Sequence, residues 1–429
     1  MKTIRKTQRK QKGRTLKRKT VMSREAYEAL PNEARWAAVQ ALIPLGLMFV
    51  QEELLKEVEG RAGARYGHQG EQRNAYRHGT NPGSVKLAGQ RIGMQVPRVR
   101  DAQGEVPLQS YKALHQSGEI DEGLYRKVLC GISTRNYEAA AMAVPGAIGL
   151  GHSSVSNAFI EASENTLREL KERDLSKHDI VAIFLDGKSF ADAQMVIALG
   201  VTMQGKKVFL GVVQTDTENK KVLTAFLREL KDRGLRTAQG LLVIIDGSKG
   251  MISAVKKAFK GRVLIQRCQW HKRENVVSYL SKEEQPWMRK RLQHAYERPT
   301  YDEAVGALET LHADLEETNQ SAAASLKEGL EETLTLHRLG VFALIGRSFK
   351  TTNCLESVNA MLEQRCARIS YWKNSSQRHR WLAASLLDIE PRLRAVKGFK
   401  HLPKLREAIT SELGCGTTPI SEEDCLMAA

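Results

Sequence analysis

Paired cysteines are missing from this chain. Its six cysteines, Cys130, Cys268, Cys354, Cys366, Cys415 and Cys425, lie scattered along 429 residues. No close spacing suggests a disulfide framework or a ribbon-type zinc site, which argues against a disulfide-stapled scaffold and fits a reducing, bacterial cytoplasm. Long apolar runs are scarce as well. The longest, from Ala37 to Val50, contains Gln40 and Pro44 and is too short to cross a bilayer, so a buried helix is expected there and no membrane span. Acidic residues are absent from the first 22 positions, and no apolar segment follows them of the kind that makes a secretory signal.

What is present is positive charge. Lys and Arg number 66 against 49 Asp and Glu, a formal net charge of +17. Such an excess repels itself in the folded state, and a polyanionic partner is the usual reason for it: nucleic acid first, an acidic membrane surface second. A hydrophobic content of 41% and a charged content of 27% describe a globular protein, and the length exceeds one ordinary core. Nothing points to a small-molecule substrate.

The pattern along the chain divides it into six parts. Residues 1–22 form a basic, disordered arm suited to phosphate contacts, or else a merely solubilising tail. Residues 23–172 form a mainly helical region for DNA binding and oligomerisation, with a small β element near 84–100. Its first helix starts near Ser23, and Pro44 should kink or interrupt it. The β element alternates apolar and basic residues, giving Arg77, Arg98 and Arg100 a face for DNA or for solvent. Gly131–Arg135 and Gly151–Asn157 resemble helix-turn-helix turns, with Arg135, Ser154 and Ser156 as candidate DNA contacts. Short polar residues there can cap a helix, and such sequences also open ordinary helices.

Residues 173–275 change to α/β. Apolar runs at 180–185, 196–201, 208–213, 241–245 and 263–268 predict five strands, with Gln204-Gly205 turning between the second and third. Helices are expected over 219–233 and 249–259. Three meandering strands, a helix, a strand, a helix and a strand are the order of an RNase H-like core. Residues 276–345 read as a helical insertion. Residues 346–410 resume the core with the helix carrying Glu356 and basic helices after it, and 411–429 form a flexible tail.

Two of the apolar strands finish in Asp-Gly, at Asp186-Gly187 and Asp246-Gly247. Ligands bind at such strand ends in open α/β sheets. If the first and fourth strands are neighbours, the two aspartates repel each other unless a divalent cation neutralises them, and oxygen donors select Mg²⁺ or Mn²⁺. A third carboxylate on a later helix would complete a two-metal site for phosphoryl transfer. Asp-Gly after a strand is also an ordinary turn, and periodicity does not single out Glu356 among its neighbouring glutamates.

The motifs supply what periodicity lacks. Asp186-Gly187, Asp246-Gly247-Ser248-Lys249-Gly250, Gln266 to Asn275 and Thr352 to Asn359 occur in that order, preceded by Tyr76-Arg77-His78-Gly79 and Val96 to Asp101. Together they closely resemble the Mutator-type bacterial insertion-sequence transposases over roughly residues 70 to 410. That resemblance implies an acidic triad at Asp186, Asp246 and Glu356, each a metal ligand, and a Cys-x-x-His signature at Cys268 and His271. It also implies cleavage at the ends of a mobile element and joining of the freed 3′ ends to target DNA. The alternative is a non-catalytic DNA-binding descendant, which loss of a triad member would favour; none is missing. The basic arm is not part of the resemblance.

Cys268 and His271 are half of a zinc site by spacing, and no second clear pair follows. A position beside the active site and a purely structural role both remain open for them. From residue 365 to 381, Arg365, Arg368, Lys373, Arg378 and Arg380 interleave with Tyr371, Trp372 and Trp381. Aromatics among cations suit unpaired bases at a cleaved end, or else the tryptophans are core and the cations solvated. Pairing two element ends calls for a homodimer or larger assembly on double-stranded DNA, working at the nucleoid.

Overall fold

The computed structural model of the chain describes residues 32–65, 74–87, 90–115, 122–137, 150–190, 193–215, 219–367, 369 and 371–414. The basic arm, Arg368 and everything beyond residue 414 lie outside the described residues. The rest falls into two compact units, one before residue 119 and one holding the described residues from 122 onward.

In the first unit, α1 (Asn32–Ala62) packs on a sheet of β1 (Ala75–Leu87), β2 (Gln90–Asp101) and β3 (Gly104–Val106), and α2 (Gln109–His115) follows. Val50, Leu54, Val58 and Ala62 recur every fourth residue, so one stripe of α1 meets Val85, Val99 and Leu108 of the small unit. Two expectations change here. The helix does not stop at Pro44: one missing N–H donor deletes one bond, and turns on both sides sustain the helix. The β element is larger than its alternation suggested, because β1 begins at Ala75 and a third strand joins it.

The second unit opens with α3 (Glu122–Leu129) and α4 (His152–Glu172). Its sheet contains β4 (Ile180–Phe190), β5 (Ala193–Thr202), β6 (Lys207–Thr215), β7 (Leu241–Ile245) and β8 (Val263–Arg267). They lie side by side in the order β6-β5-β4-β7-β8. The first three form an antiparallel meander, whereas β7 and β8 run parallel to β4. The parallel crossovers use α5 (Lys220–Asp232) and α6 (Lys249–Phe259), as parallel strands require.

Strands buried on both faces read as continuous apolar runs, and all of β7 is buried. Alternate residues serve opposite faces. Ile183 and Leu185 of β4 and Val243 and Ile245 of β7 meet α5 and α6 in one core. Ala182, Phe184, Leu242 and Ile244 face the other core, built with later helices: α13 (Phe342–Phe349), α14 (Asn353–Cys366), α15 (Ser375–Ile389) and α16 (Leu402–Glu412). Residues 150–172, grouped by sequence with the N-terminal region, belong with this unit: Phe159 of α4 packs at a tilt on Trp381 of α15, with ring centroids 4.6 Å apart.

Between the two halves of that core the chain builds α7 (Gln269–Val277), α8 (Gln285–Tyr296), α9 (Tyr301–Thr318), α10 (Gln320–Lys327), α11 (Leu330–Thr333) and α12 (Thr335–Arg338). These helices bury a separate apolar cluster running from Val276 through Leu292, Leu308 and Leu315 to Leu334. It is tied to the sheet through Gln266. The Gln266 amide donates to Thr333 O at 2.7 Å and accepts from Leu336 N at 2.9 Å, so it stands in for a further strand neighbour.

Candidate active site

Register places the two aspartates together. β4 and β7 pair Ala182 with Leu242, Ile183 with Val243 and Phe184 with Ile244, an offset of 60 positions that also separates Asp186 from Asp246. Strand side chains alternate faces, so Asp186 and Asp246 continue the face of Ala182, Phe184, Leu242 and Ile244. That face is covered by α14, which inserts Leu355, Val358 and Leu362 into the same core and carries Glu356 in its first turn.

One detail differs from the sequence reading. Asp186-Gly187 is not the end of β4, which continues to Phe190 because its other edge stays paired with β5 as far as Ala193. Only the β7 side stops, with Phe184–Ile244 the last pair, so Asp186 lies just beyond the end of that ladder. Asp186 is only 8% exposed. Burial pushes its carboxyl up, the neighbouring charges of Asp246 and Glu356 push it further, and His271 pulls it back, leaving it at about 6. The carboxylates therefore feel one another, as a shared site demands. Among the described residues no three His, Cys, Asp or Glu side chains close into a ready cage for a metal. The donor chemistry nonetheless fits a hard cation. Asp186 feels the charges of both Asp246 and Glu356, and Glu356 Oε1 is shut off from solvent with no hydrogen-bond partner.

Asp246 is fixed locally. Its Oδ1 accepts from Ser248 N at 3.0 Å, and Ser248 Oγ caps α6 by accepting from Met251 N at 3.3 Å. Gly247 between them has φ of +106°, and a Cβ there would lie 1.9 Å from Arg267 Nε. Arg267 ends β8, is 4% exposed, and donates from Nη1 to Glu328 O at 3.0 Å. Its guanidinium also passes Gly329, where a Cβ would lie 2.4 Å from Nη1. The Asp246 turn thus rests on an arginine anchored in the helical segment. Sequence reasoning quoted Arg267 and Gly247 only within motifs, and no short-range signal links positions so far apart.

His271 lies near enough to the aspartates that Asp186 and Asp246 both act on its charge, and Cys268 is its hydrogen-bond partner. Cys268 N donates to Ile245 O at 2.7 Å, joining the ends of β7 and β8, and Cys268 is the N-cap position of α7. Hydrogen bonding to Cys268 raises the His271 imidazole to about 9 against the opposing effect of burial, with the charges of Cys268, Asp186 and Asp246 adding to it. Burial opposes ionisation of the Cys268 thiol, but His271 outweighs it and draws the thiol down. Thr352 occupies the N-cap position of α14 yet makes no side-chain cap there. Its hydroxyl is turned instead to Cys268 Sγ at 3.7 Å and His271 Nδ1 at 3.4 Å, while Thr351 Oγ1 accepts from Asn353 N at 3.5 Å at the same helix start.

The candidate DNA contacts among the described residues differ in how far they are already engaged within the chain. Arg77 is tied to Gly63 O at 2.8 Å and Arg98 to Glu105 at 2.7 Å, whereas Arg100 is half-buried. Arg135 and Ser154 are exposed and Ser156 is half-buried. No side chain caps α4 at Gly151, so the polar run there does not act as a cap. Trp372 packs on Phe190 at 4.7 Å, which makes both tryptophans of the 365–381 segment packing residues. Arg365 pairs with Asp388, Arg380 donates to Ser376 Oγ at 2.7 Å, and Arg378 is buried. Lys373 is exposed, and Tyr371 is 75% exposed.

Comparison with known proteins gives the chain a family. The profile of the family described as "Transposase, Mutator family" matches residues 26–393. The chain is 25% identical over 336 residues to the transposase for insertion sequence element IS256 in transposon Tn4001 of Staphylococcus aureus, covering 74% of this chain and 82% of that one. It is 26% identical over 375 residues to the transposase for IS406 of Burkholderia multivorans, covering 85% and 93%. With the transposase for ISRM5 of Rhizobium meliloti it shares 24% over 367 residues, covering 83% and 90%. No helix among the described residues is long and apolar enough to cross a membrane.

Proposed function

Because the chain belongs to the Mutator family of transposases, we propose that it binds the terminal inverted repeats of an insertion sequence, hydrolyses DNA there and joins the 3′ ends to target DNA. The observation that carries the proposal is the common offset of 60, which sets Asp186 beside Asp246 under the helix of Glu356. The strand order, third-second-first-fourth-fifth, supports an RNase H-like core, with residues 276–345 as its helical insertion and 346–410 as its return.

In the first reaction water forms a P–O bond to the scissile phosphate, the P–O3′ bond breaks, and the leaving 3′ oxygen takes up a proton. In the second that 3′ hydroxyl, losing its proton, attacks a target phosphodiester and displaces a target 3′ oxygen. One ester bond forms as one breaks, so joining needs no energy-supplying cofactor. Bound Mg²⁺ or Mn²⁺ would supply Lewis-acid activation of the attacking and leaving oxygens. Asp186, Asp246 and Glu356 would hold it, and their mutual repulsion is relieved as they do so. His271, kept cationic beside both aspartates, offers a positive charge to the phosphate. Synapsis of two ends calls for a dimer or larger assembly on DNA, and sedimentation of the protein on paired ends measures it.

The test is cleavage and joining of labelled DNA carrying the element ends, in Mg²⁺ and in EDTA. Wild type should act in Mg²⁺ alone, and Asp186→Asn, Asp246→Asn and Glu356→Gln should each lose activity while keeping DNA binding. A wild type that binds the ends yet never cuts, where a relative does, would instead favour a non-catalytic DNA-binding protein.

A further inference from the structure

The helix that carries Glu356 presents a second polar group to the same place. Asn359 lies three residues after Glu356, on the flank of α14 that borders the Leu355, Val358 and Leu362 stripe entering the core. Its Nδ2 lies 3.5 Å from Asp186 Oδ2. A carboxylate can only accept, so the amide must turn its nitrogen toward Asp186 and its oxygen away. That oxygen, Asn359 Oδ1, is cut off from solvent and has no donor, as is Glu356 Oε1 one turn earlier. A buried acceptor without a donor costs roughly 1–3 kcal/mol, and two on one helix face are hard to account for as packing. Hard divalent cations take oxygen ligands, amide carbonyls among them, and a neutral oxygen adds no charge to three crowded carboxylates.

We propose that Asn359 is a working member of the metal site, orienting Asp186 through Nδ2 and supplying a neutral oxygen ligand through Oδ1. The inference rests on the metal-dependent reading above and adds a residue to it. Asn359→Leu keeps the shape and removes both groups, whereas Asn359→Asp keeps an oxygen ligand and removes the donor.

The experiment titrates the full-length, EDTA-stripped, DNA-free protein with Mn²⁺, counts free Mn²⁺ by electron paramagnetic resonance, and follows Tm without metal. Asn359→Leu should bind Mn²⁺ at least about tenfold more weakly, the lower end of losses seen when groups supporting metal ligands are removed, with Tm unchanged or raised. Asn359→Asp should bind within a few-fold of wild type and show a lower metal-free Tm, because it adds a fourth negative charge. Wild-type Mn²⁺ affinity in Asn359→Leu, with binding lost in Asp186→Asn, overturns the role of Asn359 and leaves the triad standing. Binding by Asn359→Asp as weak as that of Asp186→Asn overturns the ligand role even if Asn359→Leu does not fold. No binding by wild type overturns both this inference and the reading beneath it.

Discussion

Replacing Asp186 with asparagine should stabilise the metal-free protein while ending its chemistry. The carboxyl, 8% exposed and facing Asp246 and Glu356, is raised from 3.8 to about 6. A carboxyl whose folded value is raised lowers stability as pH climbs: the penalty is absent below about 4, grows between 4 and 6, and is constant above. Two pH units correspond to about 3 kcal/mol at pH 7.5, and about half of that remains at pH 5. Asparagine has nearly the same shape and carries no charge, so that is the most it can gain. At roughly 2–4 °C per kcal/mol for a unit of this size, Tm should rise by several degrees. Calorimetry in EDTA at pH 5 and 7.5 tests it, with the gain larger at 7.5. Added Mg²⁺ should raise the Tm of wild type and leave the variant where it was, because only the native carboxylate site binds it. A variant no more stable than wild type at pH 7.5, or one gaining equally from Mg²⁺, would refute the argument that these carboxylates strain against one another and await a cation.

Gly247→Ala should be far more damaging than its single methyl suggests, since φ is +106° and the Cβ position lies 1.9 Å from Arg267 Nε. A loss of about 2 kcal/mol or more in urea denaturation is expected, together with a fall in DNA joining as Asp246 moves; full joining activity would show that the turn tolerates displacement. In the N-terminal unit, Glu57 accepts from Gln109 N at 2.9 Å and Ser110 N at 2.8 Å, tying α1 to the start of α2. Burial alone would raise this carboxyl, yet its hydrogen bonds from Ser110, Gln109 and Arg61 draw it down to about 2. Its contribution is therefore present above the unfolded value near 4.5 and disappears as pH falls toward 2. Glu57→Gln should lose about 1–2 kcal/mol at pH 7 and speed amide exchange over 109–115; unchanged exchange there would show that the carboxylate does not hold the helix.

The strands of the sheet were legible because burial on both faces leaves an unbroken apolar run, and Asp186 and Asp246 were legible because each interrupts one. Element order carries the pairing of those runs only as a condition, and the register is not readable at all: nothing near residue 186 states an offset of 60. The far end of β4 was lost for the same reason, since Ser189 and Phe190 stay in the sheet only because β5 lies alongside. The partners of Thr352 were not readable either, because its hydroxyl is claimed by Cys268 and His271, more than 80 positions earlier.

The same logic separates the tryptophans from Asn359. Composition shows which side chains could contact DNA or metal, but only the fold decides which of them are already engaged. Trp372 and Trp381 have found Phe190 and Phe159, and Arg365 has found Asp388, so their chemistry is largely used within the chain. Asn359 is the reverse case, an ordinary polar residue on an amphipathic helix until its nitrogen is fixed on Asp186 and its oxygen is left without a donor. Burying an acceptor unsatisfied lowers stability, as does burying Asp186 beside two other carboxylates, and both costs fall at one end of one sheet. Interactions that each lower stability, gathered at one corner of the fold, are the mark of a site shaped for something it binds. The sign of the Tm change in Asp186→Asn and in Asn359→Leu therefore bears on function as directly as a turnover assay does.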